Sequence, residues 1–543
     1  MATKVVDVQI EINKCLEIKE NFLLSGGAGS GKTHTLVETL KSVFAKNQNA
    51  KVACITYTNV AADEIKSRAP FDNLRVSTIH DFLWSEIKNY QKNLCDAFRE
   101  LNEISSETED YQIDNLQYLN YRDIKNGIIS HDDVIKISSK VFENYPKLAR
   151  ILCDRYEYIF IDEYQDTAPS VIKIFLEDID EFSQGKLCIG MFGDRMQAIY
   201  NTGVEAKDDG MKRFKRKYRE IVKSDNYRCS SEVIELLNKI RDDNLTQKTS
   251  GKNLVGSSMF IYSNQEFNLD VLKGSSVFKN WKFDDSKNTK ILMLTHNLSA
   301  IGSNFSQIRE IYNSCDKLKS FVNDRLFGSE PDKFAALLLK IGNLMDAFKK
   351  QDYKTLISGL DRSIKNNEDK REIAKIFREF SENSNTTIGE VILRFEESKI
   401  LRSTEILTEY RNEEIYGDFW EWISEVPLVK VSNYYDYYSG YLPFSTQHGV
   451  KGAEYENVLV NLDNGNWRLY NFEKLFLGNA NAFTKKLFYV SCSRAKDNLA
   501  VYMQTANASI IRKAKELFGE NNCFCLDDLV GSVAKFENQT SPL

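Results

Sequence analysis

The sequence predicts an α/β fold with two parallel-sheet cores, and the spacing of its apolar residues supports this prediction. Short apolar runs recur along the chain, and each run precedes a polar turn and a pattern of helical period. This rhythm is typical of buried parallel strands joined by crossover helices. The runs fall into two groups, before about residue 230 and after about residue 285, which indicates two cores. They are Phe22–Leu24, Val52–Ile55, Tyr158–Ile161, Leu187–Met191, Ile291–Leu294, Val458–Val460 and Leu499–Tyr502.

Two long stretches lack the strand pattern and are predicted to be helical insertions. Residues 85–150 and 303–435 are rich in Lys, Glu, Asn and Leu at helical spacing. With 543 residues, the chain has room for about three or four domains of ordinary size. The predicted division is 1–84 and 151–215 for the first core, 85–150 for its insertion, 216–302 and 436–543 for the second core, and 303–435 for the second insertion.

The composition is that of a globular protein and narrows the possible functions. Hydrophobic residues make up 42% of the chain, which does not fit a disordered protein. The net charge of −6 argues against a wholly basic nucleic-acid wrapper, so any such contact must lie in a local groove. The ten cysteines show no zinc spacing, which indicates thiols in a reducing cytoplasm. Without an evident signal peptide or membrane span, we expect a cytoplasmic protein with no membrane partner.

A glycine-rich loop follows the first predicted strand and opens a helical run. It matches the phosphate-binding pattern G-x-x-x-x-G-K-[ST] in the strand–loop–helix context that the pattern requires. Glycines let backbone N–H groups converge on phosphates, and the helix N-terminus adds a positive dipole end. Lys32 is suited to neutralise phosphate charge and the Thr33 hydroxyl to reach Mg²⁺, which predicts hydrolysis of a nucleoside triphosphate, ATP above all. The loop residues are Gly26, Gly27, Ala28, Gly29, Ser30, Gly31, Lys32 and Thr33.

A second apolar strand ends in two carboxylates that complete such a site. Asp162 and Glu163 directly follow the run Tyr158–Ile161. Asp162 is suited to hold Mg²⁺ together with Thr33, and Glu163 is suited to position or activate the attacking water. Such a strand end could equally be a solvated terminus if it stood alone. Its combination with the phosphate loop favours a hydrolytic centre.

The segment Asp162–Asp166 (DEYQD) resembles motif II of superfamily 1 DNA helicases of the UvrD/Rep type. Further motifs of this family have matches in the expected order along nearly the whole chain. The resemblance implies two RecA-like P-loop NTPase cores with helical insertion subdomains. The matching segments are Thr56–Ala62 for motif Ia, Ser77–His80 for Ib, Gly193–Tyr200 for III, Asn226–Arg228 for IV, Thr446–Glu454 for V and Tyr489–Lys496 for VI.

The resemblance also implies roles for single residues around an ATP molecule held between the two cores. Arginine suits recognition of the γ-phosphate because its guanidinium is always charged and can donate two parallel hydrogen bonds to phosphate oxygens. By resemblance, Arg228 and Arg494 sense the γ-phosphate. Gln197 resembles a further γ-phosphate sensor of the family, which links hydrolysis to the DNA site. The implied nucleoside contacts are adenine reading by Gln9 and a hydrogen bond from the ribose to Glu454. Tyr227 is a candidate to stack on the base, although an aromatic residue next to a strand is as often part of the core.

Residues of motifs Ia, Ib and V are expected beside single-stranded DNA. Hydroxyl and amide groups suit phosphate contacts that read no sequence, and aromatic rings suit base stacking. After motif III the family usually has a Trp and an Arg, whereas this chain reads Asn201–Val204, so stacking there depends on Tyr200. This departure puts processive unwinding in doubt but not ATP hydrolysis. The residues expected beside DNA are Tyr57, Thr58, Asn59, Thr78, His80, Thr446 and His448.

Two further segments each have two interpretations. The tyrosine-rich stretch Tyr434–Tyr438 is either a contact surface or, as favoured, a half-buried strand or turn with aromatic packing. The basic run Lys212–Lys217 either touches a phosphate backbone or, as slightly favoured, is a solvated helix face.

Two functional hypotheses follow. The first is an ATP-dependent DNA translocase or helicase, with 3′-to-5′ movement on single-stranded or partly duplex DNA implied by the resemblance. The second is an ATP- and DNA-sensing subunit of a nuclease complex with weak or no unwinding. Short UvrD-like proteins resembling this chain occur beside OLD-family nucleases in bacterial anti-phage systems such as Gabija, so this resemblance implies a role in antiviral defence. A nucleotide kinase or metabolic ATPase would also use a phosphate loop, but the motif V and VI matches argue against it.

Overall fold

The computed structural model describes residues 7–103, 113–119, 121–206, 210–383, 385–465 and 467–529. The strands are, in chain order, β1 Phe22–Gly26, β2 Val52–Thr56, β3 Leu74–Thr78, β4 Gln117–Tyr118, β5 Ile128–Ile129, β6 Tyr158–Asp162, β7 Cys188–Gly193, β8 Arg219–Lys223, β9 Asp225–Asn226, β10 Lys248–Thr249, β11 Ser257–Ser263, β12 Thr289–Met293, β13 Phe444–Thr446, β14 Tyr455–Asn461, β15 Ala495–Gln504 and β16 Cys523–Cys525.

The α-helices carry the connections between these strands. They are α1 Val8–Ile18, α2 Lys32–Lys46, α3 Asn59–Arg68, α4 Ile79–Ile87, α5 Gln91–Leu101, α6 His131–Asn144, α7 Pro146–Arg155, α8 Pro169–Lys173, α9 Asp180–Ser183, α10 Ser231–Ile240, α11 Leu269–Lys273, α12 His296–Gly302, α13 Ser306–Ser314, α14 Val322–Phe327, α15 Lys333–Lys349, α16 Tyr353–Gly359, α17 Asn367–Glu382, α18 Ile388–Glu397, α19 Thr404–Tyr410, α20 Glu413–Tyr416, α21 Phe419–Ser424, α22 Leu428–Tyr438, α23 Phe472–Phe476, α24 Ala482–Cys492 and α25 Ala508–Phe518.

The chain divides into two compact units, each with one six-stranded sheet. The first unit comprises Met1–Gly256 and Asn481–Ser493, and the second comprises Ser257–Ala480 and Arg494–Leu543. Helix α24 is therefore part of the first unit, although most of the chain on either side of it is part of the second. The predicted α/β class with two parallel-sheet cores is confirmed. The boundaries of the four predicted segments stay predictions.

The sheet of the first unit has the strand order β3-β2-β6-β7-β1-β8, and its neighbouring strands run parallel. Side chains alternate between the two faces of a strand, so Phe22 and Leu24 enter one apolar cluster and Leu23 enters another. Helices α1, α2 and α3 contribute to the first cluster, and α4 to α9 to the second. Because all strands share one direction, the turns after β1, β2, β6 and β7 lie at the same edge of the sheet.

The sheet of the second unit has the order β13-β12-β14-β15-β11-β16 and is also parallel. Between β12 and β13 the chain forms the helices α12 to α22, and their apolar faces join one large cluster with one face of the sheet. The favoured interpretation of Tyr434–Tyr438 as a strand or turn is wrong, because these residues end helix α22. The expected aromatic packing is present, since helical spacing places Tyr434 and Tyr437 together in the core.

The predicted basic run and the helix lengths bear on possible contacts with nucleic acid and membranes. The basic run Lys212–Lys217 lies in a 3₁₀ helix, Gly210–Lys217, in which Lys212 and Arg213 are exposed and Phe214 is buried. Among the helices in the described ranges, none is both long enough and apolar enough to cross a membrane.

Candidate active site

The phosphate loop has the backbone shape that its glycines predict. Strand β1 ends at Gly26 and helix α2 begins at Lys32, so the five intervening residues make the whole turn. Gly29 and Gly31 have φ angles of +76° and +74°, a left-handed conformation that side chains disfavour. A Cβ atom on Gly27 would lie 2.4 Å from Cδ of Gln247, so a larger residue here would displace the Gln247 side chain. The loop is a close-packed turn at the carboxyl edge of the first sheet.

The side chains of the loop present a buried cation and a buried hydroxyl. Lys32 is 8% exposed, and its Nζ donates hydrogen bonds to the carbonyls of Gly26 at 3.1 Å and Gly27 at 3.3 Å. Within the described residues, the Ser30 hydroxyl is fully buried and has no hydrogen-bond partner. Buried polar groups are nearly always paired, so this hydroxyl is suited to a phosphate oxygen. Thr33 follows in the first turn of α2, where a hydroxyl beside the phosphates can face a metal ion.

Both backbone groups of Ala28 bond to side chains from distant parts of the first unit. Its N–H donates to the hydroxyl of Tyr489 at 3.1 Å. Its carbonyl accepts from Nδ2 of Asn226 at 3.0 Å and from Nε2 of Gln247 at 2.8 Å. All three side chains are buried. The shape of the loop is thus stabilised by hydrogen bonds from these three buried side chains as well as by its own glycines.

The two predicted carboxylates lie at the end of β6, in the middle of the same sheet. Asp162 is the last residue of the strand and is 5% exposed. Burial raises the pKa of Asp162, the charge of Glu163 raises it further, and the nearby Lys32 opposes both. A carboxylate in this state is stabilised by a cation, which fits the predicted Mg²⁺ site.

The turn after Asp162 fixes the direction of Glu163. Glu163 has a φ of +52°, a strained conformation for this residue type, and its N–H donates to Oδ1 of Asp162 at 3.0 Å. The side-chain amide of Gln165 donates to the Glu163 carboxylate, while its Oε1 accepts from the N–H of Asp194 at 3.1 Å. Strain that neighbouring hydrogen bonds maintain is typical of functional turns. Gln165 thereby joins the turns after β6 and β7.

Asp194, directly after β7, is the centre of a buried polar network. Its carboxylate accepts from Nε2 of Gln197 at 3.0 Å, from the hydroxyl of Tyr489 at 3.2 Å and from two nitrogens of Arg241 at 3.0 and 3.3 Å. Burial alone would raise the pKa of Asp194, but the charges of Arg241 and Lys32 hold it below its ordinary value. The carboxylate is therefore ionised at neutral pH and ties Gln197 to Tyr489.

Arg241 is a site residue that sequence reasoning missed. Its side chain is 2% exposed and also donates to Asp243 at 2.6 and 2.8 Å and to the Tyr489 hydroxyl at 2.7 Å. The residue follows helix α10, whose pattern is that of an ordinary amphipathic helix. No local pattern marks an arginine that closes a network with partners far away in the chain. The same holds for Gln247 and for the role of Tyr489 inside a motif that was recognised.

Of the predicted nucleoside contacts in the first unit, Tyr227 lies at the loop. Its ring is 60% exposed, and its Cδ2 atom would be 3.8 Å from a Cβ on Gly31. Its N–H donates to the carbonyl of Gly29 at 2.8 Å, so the backbone fixes its place. Gln9 lies in the first turn of α1, where its side-chain amide donates to Asn13 at 3.3 Å. The base-stacking and adenine-reading roles stay predictions.

The two predicted arginines lie in different units. Arg228 is in the first unit with the phosphate loop, and its guanidinium donates to the carbonyl of Ser493 at 3.4 Å. Arg494 is in the second unit, is 1% exposed and donates to the carbonyl of Ala453 at 3.2 Å. Glu454, the next residue along from that carbonyl, is exposed. The predicted γ-phosphate and ribose contacts of these three residues stay predictions.

Residues expected beside DNA provide aromatic surface in both units. In the first unit, the rings of Tyr57 and Tyr200 stack with centroids 5.7 Å apart and planes 15° apart, and Tyr57 is 45% exposed. In the second, Nε2 of His448 and the Tyr470 hydroxyl are 2.8 Å apart. Burial lowers the pKa of His448 to about 4, and the charge of Lys451 contributes, so its imidazole is neutral at pH 7.

The fold and the loop resemble those of P-loop NTPases, and comparison with known proteins narrows this resemblance. A family model described as an AAA domain matches residues 9–203. The chain is 26% identical to the Gabija protein GajB of Bacillus cereus (strain HuB5-5), across 93% of this chain and 96% of that protein. It is 24% identical to the ATP-dependent DNA helicase PcrA of Bacillus subtilis (strain 168), across 42% of this chain and 38% of PcrA.

These similarities confirm the resemblance to UvrD/Rep-type superfamily 1 helicases and, within them, to the Gabija protein. The chain spans less than half of PcrA but nearly all of the first GajB relative. A second GajB, from Bacillus cereus (strain VD045), is 26% identical over 41% of this chain and 47% of its own length. The crystal structure of Pif1 helicase from Candida albicans aligns with a TM-score of 0.36 and 11% identity over 96% of this chain and all of that one, too distant a likeness to support an inference.

Proposed function

We propose that this chain hydrolyses Mg-ATP and uses the energy to move along DNA as a translocase or helicase. The observation that carries the proposal is the edge of the first sheet. There the turns after three parallel strands bring together the phosphate loop, the Asp162–Glu163 pair and the Asp194–Gln197 pair. A buried lysine, a buried hydroxyl without a hydrogen-bond partner among the described residues, and two adjacent carboxylates fit a triphosphate with its metal ion.

Each residue of this edge has a chemical task in the proposal. Thr33 and Asp162 would hold Mg²⁺, which, when bound, supplies neutralisation of phosphate charge. Lys32 exchanges its loop carbonyls for phosphate oxygens. Glu163, aimed by the amide of Gln165, accepts a proton from the attacking water or orients it.

The network around Asp194 supports the proposed coupling to DNA. Gln197 and the Tyr489 hydroxyl share the Asp194 carboxylate, and the same hydroxyl bonds the phosphate loop at Ala28. A change at Gln197 when the γ-phosphate leaves therefore reaches both the loop and helix α24. Gln197 is also three residues before Tyr200, whose ring stacks on the exposed Tyr57. The proposal places single-stranded DNA at these rings, with 3′-to-5′ movement and γ-phosphate sensing by Arg228 and Arg494.

The test is ATPase activity with and without oligo(dT). We expect stimulation in the wild type and loss of turnover in Lys32→Ala. Lys41→Ala is the matched control, because Lys41 lies on the same helix in an exposed ion pair with Glu38 at 2.8 Å. Arg494→Lys is expected to bind nucleotide but to lose turnover, since lysine keeps the charge without the planar fork. A wild type that no single-stranded DNA or RNA stimulates, even with natural partners, contradicts the proposal.

A second candidate is an ATP- and DNA-sensing subunit of a complex with a nuclease, such as one of the OLD family. The similarity along nearly the whole chain to a Gabija protein favours it, together with the lost tryptophan after motif III. It predicts that the chain from its native host elutes with a nuclease partner in size-exclusion chromatography. A monomer that separates DNA strands robustly would argue against this candidate and for the first.

A further inference from the structure

Trp467 is held at the surface of the second unit by two neighbouring rings. Its side chain is 43% exposed, although tryptophan is usually well buried. Its ring centroid lies 5.5 Å from that of His448 and 5.0 Å from that of Tyr470. His448 and Tyr470 are themselves hydrogen-bonded and largely buried. The indole is therefore a fixed and partly solvent-facing aromatic surface.

The loop that carries Trp467 is pinned by its own hydrogen bonds. The N–H of Trp467 donates to the carbonyl of Asn464 at 2.8 Å, and the N–H of Tyr470 donates to the carbonyl of Trp467 at 3.1 Å. The side chain of Asn464 also accepts from the N–H of Phe472 at 2.9 Å. An aromatic side chain ordered before binding loses little entropy when a ligand stacks on it.

The position of this loop in the sheet is that of a ligand site. Trp467 follows β14, His448 follows β13 and Thr295 follows β12, and these three strands are parallel neighbours. The turns after them meet at one edge, as the 3.0 Å approach of Thr295 to a Cβ on Gly465 shows directly. Ligands of open parallel sheets bind at this carboxyl edge.

The charges around the indole are suited to a polyanion. Arg468 is exposed and adjacent to Trp467, and Lys451 is close enough to His448 to lower its pKa. Asp463, four residues before Trp467, is the opposing charge on the same loop. Stacking rings with cations nearby are the elements of a sequence-tolerant site for single-stranded nucleic acid.

We propose that Trp467 is a stacking platform for an unpaired base of single-stranded DNA, with Arg468 and Lys451 contacting the flanking phosphates. The proposal rests on the proposed DNA translocase function and adds a specific base contact to it. It makes Trp467 a binding residue that takes any of the four bases, because every base offers a π face.

The test is the affinity for fluorescein-labelled oligo(dT), measured by anisotropy with the full chain. We expect Trp467→Ala to weaken binding by about 5- to 150-fold, the range for loss of one stacked base, and Trp467→Phe to retain most of the affinity. The matched control is Trp422→Ala, because Trp422 is exposed to a similar 41% on helix α21 and should leave binding unchanged. Circular dichroism and thermal melting verify that each variant is folded.

Two further measurements make the result specific to stacking. An oligonucleotide of the same length with abasic sites should bind wild type and Trp467→Ala equally. Of the five tryptophans in the chain, Trp467 should account for most of the fluorescence quenching by oligo(dT), so Trp467→Phe should abolish it. If wild type and folded Trp467→Ala bind oligo(dT) with equal affinity, the inference about Trp467 is overturned, while the proposed function is not. The same conclusion holds if the variant keeps its affinity for oligo(dT) but loses binding of a protein partner. A wild type that binds no oligonucleotide overturns the proposed function as well.

Discussion

The hydroxyl of Tyr489 accepts a hydrogen bond from the backbone N–H of Ala28 at 3.1 Å, although 461 positions separate the two residues in the sequence. The same hydroxyl donates to Asp194 and accepts from Arg241. A side chain of motif VI thus bonds to the phosphate loop and to the carboxylate that holds the proposed γ-phosphate sensor. This contact makes loop geometry sensitive to helix α24.

Removing the Tyr489 hydroxyl should weaken ATP binding more than it slows hydrolysis. In Tyr489→Phe, the buried Ala28 N–H loses the hydroxyl that accepts its hydrogen bond, which costs about 1–3 kcal/mol, whereas the Asp194 carboxylate keeps its bonds from Gln197 and Arg241. We expect KM for ATP to rise by about tenfold with kcat changed less. Tyr502→Phe is the control, since this buried tyrosine donates to the carbonyl of Gln265 in the second unit. An unchanged KM in Tyr489→Phe would show that the contact does not shape the loop.

Breaking the buried ion pair of Arg241 should destabilise the first unit. Arg241→Ala leaves the Asp194 carboxylate buried without its main cation, a change that typically costs about 3–5 kcal/mol. We expect the melting temperature of the first unit to fall by about 10 °C. The control is Lys485→Ala, which removes an exposed pair with Asp242 at 3.1 Å and should cost less than about 1 kcal/mol. Similar melting temperatures for the two variants would contradict this ranking.

The substitution Glu163→Gln should separate nucleotide binding from hydrolysis. The amide keeps the size of the side chain but cannot accept a proton from water, so we expect kcat to fall by about 100-fold or more. ATP affinity, measured by fluorescence titration, should stay within a few-fold of wild type. Glu157→Gln is the control, because Glu157 lies before the same strand in a half-exposed pair with Lys19 at 3.7 Å. A Glu163→Gln enzyme with wild-type turnover would remove Glu163 from the mechanism.

Two glycines with nearly the same backbone angle should respond very differently to alanine. Gly29 has φ +76°, and its new Cβ would lie 2.6 Å from Oδ1 of Asn226 and 2.7 Å from Cβ of Arg228. Gly185 has φ +74°, with nothing within 4 Å. Gly185→Ala should cost only the conformational strain of about 1–2 kcal/mol, while Gly29→Ala should also abolish ATP binding. ATP binding and thermal melting of both variants decide this, and wild-type affinity in Gly29→Ala would contradict it.

The second unit should lose stability in mild acid. Burial, aided by the charge of Arg309, lowers the pKa of His296 to about 4, whereas an unfolded histidine titrates near 6.5. Below about pH 6.5 the unfolded chain takes up a proton that folded His296 refuses, so stability falls by up to about 1.4 kcal/mol per pH unit until pH 4. His448 acts in the same direction.

Thermal melting at pH 7.5 and pH 5.0 tests this sign. His296→Gln should lose less melting temperature between the two pH values than wild type does, because one titrating group is gone. The control is His34→Gln, which replaces an exposed histidine on α2 of the first unit by the same residue type. Equal pH dependence in wild type and His296→Gln would show that this histidine does not contribute.

Local patterns in the sequence predicted much of this fold because they report on local physics. Apolar runs identified the strand before the phosphate loop, β1, and the next strand after it in the sequence, β2. The glycine spacing identified a turn in which two glycines have positive φ angles. The Asp162–Glu163 pair was predictable because a strand must end before a polar turn. The stretch Tyr434–Tyr438 was not, since consecutive tyrosines fit a strand or a helix equally, and only packing against the helices of the second unit selects the helix.

The partners of the loop could not be predicted because they act across the chain. Arg241, Gln247 and Tyr489 each contribute one side chain to a group more than 40 positions away. Such contacts leave no periodicity, and a single arginine or glutamine in a sequence usually belongs to the surface. Their functional importance lies in burial, which only the folded chain reveals.

The inclusion of helix α24 in the first unit bears on any attempt to prepare that unit alone. A gene fragment ending at Gly256 contains the whole phosphate loop and both carboxylates, yet it lacks Asn481–Ser493. Such a fragment would expose the groove that α24 fills and leave Ala28, Asp194 and Arg241 without the Tyr489 hydroxyl. We expect it to aggregate or to bind ATP poorly, whereas a version with residues 481–493 joined through a flexible linker should recover. Domain dissection of this enzyme therefore has to follow contacts and not sequence order.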